Sequence, residues 1–231
     1  MGQFNGIPLE KPLTRVRETA ELVKIMLAGE KTDYDGETVF SRGYRQAPME
    51  NAPQVYLAAL RPKMIEMAAE VGDGVIFNLW PKAALPKMME HVAIGAKAAG
   101  KDPADVEIVN RAMVLCTDDK EYGRNLFRAA FGPYYATPVY NNFLAWAGYT
   151  EAAATIAEGW AEKDRNKTAS AMSDEMIDEI AIIGNEDEIQ ARIKADADGG
   201  VDTHIIAPLA GKKEDVERTF AAFTGTAFQF A

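Results

Sequence analysis

The chain of 231 residues has one cysteine, two histidines and no excess of basic side chains. The single cysteine, Cys116, excludes an intrachain disulfide. It lies in the apolar run Met113-Val-Leu-Cys116, with no Cys or His close by in sequence, and reads as a small core residue. His91 and His204 are far apart, so no zinc-type cluster forms in the sequence. Neither a Ser-His-Asp arrangement nor a G-x-G-x-x-G nucleotide fingerprint can be inferred. No run of 18 apolar residues exists, and the start lacks a basic-then-apolar signal pattern. A soluble, cytoplasmic protein without a membrane partner is expected. The opening Met-Gly-Gln-Phe-Asn-Gly carries Gly6 where myristoylation wants Ser or Thr.

Charge narrows the partners further. With 35 acidic against 25 basic residues the formal net charge is −10, which disfavours generic binding to nucleic acid or to an anionic membrane. An anionic small molecule stays possible where basic groups gather, and Arg61, Lys63 and Arg111 all fall near expected strand ends. The alternative for each of them is an ordinary solvated charge.

A hydrophobic content of 48% is enough to bury a core in one large domain or two small ones. The pattern alternates helix and strand. Pro12 opens a helix with Leu13, Val16, Ala20, Val23 and Leu27 on one face, and Gly29 closes it. The segment Tyr34-Asp-Gly-Glu-Thr-Val-Phe40 carries an Asp-Gly turn and predicts a small hairpin outside the main sheet. Strands follow at 55–59, 75–79, 106–116 and 203–209, the last read as buried. Helices are predicted at 62–71, 81–99 and 214–223. From 118 to 182 nearly everything reads helical, with breaks near Pro133, Pro138, Gly148 and 163–170. An excursion of that length covers a site or an interface, although its aromatic residues are more often packing. Asn185 and Glu188 form a capping box ahead of a helix that Gly199-Gly200 ends. Four strands alternating with helices imply an α/β fold with a parallel sheet and right-handed crossovers.

The most informative stretch is Val55-Tyr-Leu-Ala-Ala-Leu-Arg-Pro-Lys-Met64. A strand pattern ends in two alanines and a helix-starting proline follows. Small residues at a strand-to-helix junction let a ligand touch backbone, and the amides and dipole there attract a phosphate or carboxylate. The same pattern also suits a plain tight turn.

Taken in order, Asn5-Gly-Ile-Pro-Leu-Glu-Lys-Pro-Leu-Thr-Arg-Val-Arg17, the 55–64 stretch, Gly72-Asp-Gly74, Ile183-Gly-Asn-Glu-Asp-Glu188 and Gly199-Gly-Val-Asp202 resemble the bacterial luciferase-like oxidoreductases. The likeness is greatest to the branch that uses the deazaflavin coenzyme F420, and the chain corresponds to the C-terminal half of that family. The resemblance implies a partial (βα)8 TIM barrel of about four parallel strands, the family's fifth to eighth, read as one luciferase-like domain over 1–231. The helical stretch at about 118–182 would be an insertion before the last strand.

The resemblance also implies that Ala58, Ala59, Leu60 and Arg61 hold the phosphate-bearing tail of coenzyme F420, or of FMN as the alternative, mainly through backbone amides. Asn78 and Trp80 would face the cofactor or substrate cavity. Arg111 and Asn110 are weaker candidates of which only one can point inward, because a strand alternates its faces. His204 and His91 read as structural, and no catalytic residue is assigned.

Two functional classes follow. One is a flavin- or deazaflavin-dependent oxidoreductase or monooxygenase that moves hydride to or from a small organic substrate. The other is a noncatalytic half-barrel that keeps at most the cofactor-tail pocket. A four-stranded half-barrel exposes strand edges and an apolar inner face. A homodimer or another partner is expected to cover it, unless the 118–182 segment folds back over the open sheet.

Overall fold

The computed structural model describes residues 10–229, so Asn5 to Leu9 of the first motif and the Met-Gly opening lie outside the described residues. The chain divides into two compact units. The first takes residues up to 75 together with 90–107, and the second takes 76–89 and everything from 108 onward.

The first unit begins with helix α1 (Pro12–Leu27), which Pro12 opens as expected. Its apolar face is only partly buried: Leu13 and Val23 are 37% and 36% exposed while Ala20 on the same face is buried, and Glu18 is buried on another side of the helix. Polar contacts hold the helix instead. Arg17 makes a two-pronged bond to Glu70, and Lys24 reaches Asp73 at 2.6 Å. Strands β1 (Asp33–Asp35) and β2 (Phe40–Arg42) form the expected antiparallel hairpin. The Glu18 carboxylate accepts from the amides of Glu37, Thr38 and Val39 and from the Thr38 hydroxyl, fixing the hairpin's turn onto α1.

Strand β3 (Tyr56–Ala58) leads into α2 (Pro62–Val71), with Ile65, Met67, Ala68 and Ala69 buried. At the end of α2, Lys101 donates to the carbonyls of Ala69 and Gly72 at 3.2 and 2.7 Å, closing the helix. Gly72-Asp-Gly74 is a joint with a visible purpose. The Asp73 carboxylate accepts from Val55 N at 2.7 Å while its own amide donates to the Val55 carbonyl at 2.8 Å. A side chain at Gly74 would strike the ring of Tyr56.

Strand β4 (Gly74–Asn78) is shared by the two units. After a short 3₁₀ turn, helix α3 (Leu85–Ala98) follows, and then the ten-residue β5 (Glu107–Cys116). The excursion resolves into α4 (Lys120–Tyr135), α5 (Pro138–Trp146), α6 (Thr150–Ala161), α7 (Arg165–Ser170) and α8 (Asp174–Ile180). Helix α4 runs through Pro133 rather than breaking there. The bond lost to proline falls in its last turn, where little helix remains to disrupt. The stretch expected to be a polar break is itself helical, as α7, with Asp164 accepting from Lys167 N as its cap.

A short strand not foreseen in the sequence, β6 (Ile182–Gly184), comes next. Then follow α9 (Glu186–Asp198) with the expected Asn185–Glu188 capping box, β7 (Thr203–Pro208) and α10 (Lys213–Ala221). Among the described residues the main sheet therefore has five strands, in the order β3-β4-β5-β6 with β7 also on β5. Both β6 and β7 run parallel to β5, with Val114 opposite Ile182 in one ladder and Val109 to Val114 opposite Thr203 to Pro208 in the other. The expected α/β class, a parallel sheet with crossover helices as in (βα)8 proteins, is what the chain adopts.

The two faces of β5 are covered differently. Ala112, Val114 and Cys116 pack with Ile182 against Ile189 and Ile193 of α9 and against Ala222. Met113 and Leu115, on the other face, join Ile183 in a core built mainly from the excursion: Phe127, Tyr135, Leu144, Ile156, Met176 and Ile177. The long helical segment thus folds back over this face. Strand β7 is not fully buried as expected, because Ile205 remains 47% exposed. It shares the face of Arg111, its register partner, which the excursion leaves open.

Candidate functional site

In the first unit the candidate is the turn between β3 and α2. Ala58 is exposed, Ala59 buried, and Leu60 half-buried. Arg61 is the extended N-cap residue of α2, with Pro62 at the first helical position. The Met64 and Ile65 amides both return to the Arg61 carbonyl at 2.9 Å. Among the described residues, the amides of Leu60, Arg61 and Lys63 and the side chain of Arg61 carry no hydrogen bond. Two alanines without bulk, followed by a helix N-terminus, leave open donors that an oxyanion such as a phosphate can meet.

In the second unit the candidate residues separate onto opposite sides of the sheet. Asn78 ends β4, and Arg111 lies on the matching face of β5, with its guanidinium 3.3 Å from Asn78 Oδ1. The same guanidinium touches Met113 Sδ at 3.2 Å. Asn78 Nδ2 in turn donates to the Tyr140 hydroxyl at 3.3 Å, which joins the excursion to the site. Asn110 faces away, buried, and accepts from Trp80 Nε1 at 3.0 Å. Trp80 is 3% exposed and meets Phe77 edge-on, within the packed side of β4 rather than beside Asn78.

Alternation fails after Asn78 because Leu79 takes a positive φ of 54°. The Tyr135 hydroxyl holds that bend by donating to the Leu79 carbonyl at 3.0 Å. Burial pushes the Tyr135 phenol pKa well above its ordinary value, so it stays a donor. Tyr140 had no sequence signal: it stands 62 residues from Asn78, in a segment whose aromatic residues mostly pack.

The remaining reactive side chains have structural surroundings. His91 pairs with Glu66 at 2.9 Å. Burial lowers the pKa of His204, keeping its ring neutral. Cys116 is buried, and burial raises its thiol pKa against the pull of Arg218. Nearby, a cavity of about 330 Å³ lies where β5 meets α4 and α10, lined by Thr117, Tyr122, Lys212, Asp215 and Arg218 among others. Asp215 and Arg218 in its wall already have partners. Burial works against the Asp215 carboxylate, yet Tyr122 at 2.7 Å and the amides of Gly211 and Lys212 hold its pKa low; Arg218 pairs with Asp118. Among the described residues no group of His, Cys, Asp and Glu could hold a metal ion, and no helix is long and apolar enough to cross a membrane.

Comparison with known proteins places the chain in a family. A 5,10-methylenetetrahydromethanopterin reductase of Methanolobus tindarius is 32% identical over 213 residues, covering 90% of this chain and 65% of that protein. The enzyme of the same name from Archaeoglobus fulgidus is 29% identical over 206 residues, covering 87% and 62%. This chain therefore spans less than two thirds of the length of either relative. Among solved structures, the coenzyme F420-dependent tetrahydromethanopterin reductase of Methanopyrus kandleri superposes with a TM-score of 0.73 at 20% identity, over 92% of this chain and 64% of that one. An F420-dependent secondary alcohol dehydrogenase gives 0.67 at 13% identity, over 94% and 62%. The family model of the luciferase-like monooxygenases matches residues 1–203, and this chain belongs to that family.

Proposed function

We propose that this chain binds coenzyme F420 and serves an F420-dependent oxidoreductase reaction on a small organic substrate. The observation that carries the reading is the open-amide turn at 58–61, in a chain whose relatives include methylenetetrahydromethanopterin reductases and an F420-dependent glucose-6-phosphate dehydrogenase. When bound, the deazaflavin supplies the hydride chemistry, and the protein supplies position and electrostatics. Ala58 and Ala59 give the tail room, the amides of Leu60 and Arg61 donate to its phosphate, and the exposed Arg61 guanidinium adds charge. Asn78 and Arg111 are the polar groups offered to the substrate or to the rest of the cofactor; Trp80 supports the strand from its packed side. FMN is the alternative ligand, in keeping with the wider family.

A second reading has its own support. Because the chain spans less than two thirds of its relatives' length, it also fits a noncatalytic module that needs further strands to turn over substrate. The open part of the sheet face around Ile205 favours a partner, and we assign that role to a second copy of the chain.

One experiment addresses all of this: titration of the protein with F420 and with FMN, followed by cofactor fluorescence, with light scattering on the same samples. F420 should bind at least about tenfold more tightly than FMN, and Ala58→Leu, at the exposed alanine, should weaken it by a similar factor by taking the room the tail needs. Absence of binding by both cofactors would overturn the enzyme reading and leave the module. A monomer at all concentrations would overturn the dimer.

A further inference from the structure

We propose that Arg111, Asn78 and Tyr140 form a receptor for an anionic oxygen group, carboxylate or phosphate, carried by the organic substrate. This deepens the oxidoreductase reading above and rests on it for the word substrate; the receptor itself rests on geometry.

Arg111 is exposed in the middle of β5, and its environment is apolar. Val109 and Met113 stand two residues to either side on the same face, and Ile205 is its register partner on β7. Among the described residues no carboxylate answers it. Its bonds are to a neutral amide oxygen at 3.3 Å and a thioether sulfur at 3.2 Å, which leave most of the five donors of the guanidinium fork without a partner. Arg124, in the same unit, shows the contrast: Asp178 grips it through two nitrogens and Asp174 through a third contact. In a chain of net charge −10, an arginine kept clear of carboxylates is arranged for an anion from outside.

Asn78 sets the aim. Its Oδ1 accepts from Arg111 and its Nδ2 donates to the Tyr140 oxygen, so the Tyr140 proton is left to donate elsewhere. Both ends of the chain then present donors, which suits an acceptor-only anion and rejects a cation. Tyr140 also belongs to an aromatic row, its ring 6.0 Å from that of Tyr134, which is itself 5.5 Å from Phe131. Tyr134 is half exposed and offers an apolar surface beside the donors. The ligand class is therefore an organic anion with a flat or apolar body.

The test is calorimetric titration of the protein with benzoate and with inorganic phosphate, on wild type, Arg111→Gln, Arg111→Lys and Tyr140→Phe, with F420 titrations in parallel. Benzoate should bind wild type, at least about tenfold more weakly to Arg111→Gln, and about threefold more weakly to Tyr140→Phe. Arg111→Lys should recover part of the loss, because charge survives while the fork does not. The F420 titrations decide which ligand the group serves: unchanged affinity in the Arg111 variants assigns the anion to the substrate. Equal benzoate binding by wild type and Arg111→Gln, or no binding by wild type, would overturn the receptor. If Arg111→Gln weakens F420 and phosphate competes with F420, the anion is the cofactor's own and the substrate assignment falls. If F420 fails to bind wild type while benzoate still depends on Arg111, the receptor stands and the cofactor reading fails.

Discussion

The two units use the same joint and then diverge. In the first, Asp73 accepts from Val55 N and returns its own amide to the Val55 carbonyl; in the second, Asp202 does the same with Ile108, at 2.8 and 2.9 Å. Each aspartate stands just after a helix that ends at glycine, Asp73 directly behind Gly72 and Asp202 two residues behind Gly200, and pins the start of a strand, so each strand begins in a fixed register. Further along the chain the units offer different chemistry. The first offers backbone amides, at Leu60 and Arg61, and asks only that the side chains be small. The second offers side chains, Arg111, Asn78 and Tyr140, drawn from positions 33 and 62 residues apart. A site made of backbone is written in a short stretch of sequence, whereas a site made of side chains is written in the packing.

The strongest way to break that contrast is to disturb the scaffold of the first unit without touching its turn. Gly95 of α3 lies against α2, and a methyl group there would fall on the Glu66 carbonyl, a backbone atom that cannot swing aside. Gly95→Ala should therefore cost about 1–3 kcal/mol by forcing the helices apart. It should also weaken F420 binding, since α2 carries the amide donors. A urea midpoint equal to wild type would show that α2 and α3 separate freely and that the turn does not depend on their packing.

In the second unit the corresponding pressure point is Tyr135. Its hydroxyl satisfies the Leu79 carbonyl, at the residue whose positive φ ends β4 directly after Asn78. Tyr135→Phe should cost about 1–2 kcal/mol, because a buried carbonyl is left without its donor. Benzoate affinity should fall although Arg111 is intact. Lost stability with unchanged benzoate binding would mean that Asn78 is positioned by its strand alone.

These residues also mark how far sequence reading reaches. The hairpin at Asp35-Gly36, the helix opened by Pro62 and the capping box at Asn185 were legible because each depends on neighbours within a few positions. Strand β6 was not, since three residues give no periodicity and the capping signal beside them reads as a helix start. The apolar stripe of α1 is only partly buried, because periodicity locates the stripe but not the ion pairs of Arg17 and Lys24 beside it or the hairpin turn that covers Glu18. Alternation allowed one of Asn110 and Arg111 to share the face of Asn78, and the hydrogen bond selects Arg111. The positive φ at Leu79, by contrast, sits on a residue type that rarely adopts it, so nothing local could announce that Trp80 turns into the core.

The smallest expected effect concerns Glu18, the buried carboxylate that α1 contributes to the hairpin turn. The Thr38 hydroxyl, with the amides of Thr38, Glu37 and Val39, holds its pKa down at about 2 from an ordinary 4.5, against the cost of burial. A carboxylate whose pKa is depressed in the folded state stabilises that state above the unfolded value, and the contribution is lost as pH falls from 4.5 toward 2. Glu18→Gln keeps an acceptor oxygen but removes the charge, so wild type and variant should differ most near neutrality and converge in acid. Thermal unfolding between pH 7 and about pH 2 checks the sign. A gap of constant size across that range would mean that the turn depends on the shape of the side chain and not on its charge. The hairpin would then resemble the amide turn at Leu60 and Arg61, where fit and not side-chain ionisation decides what is held.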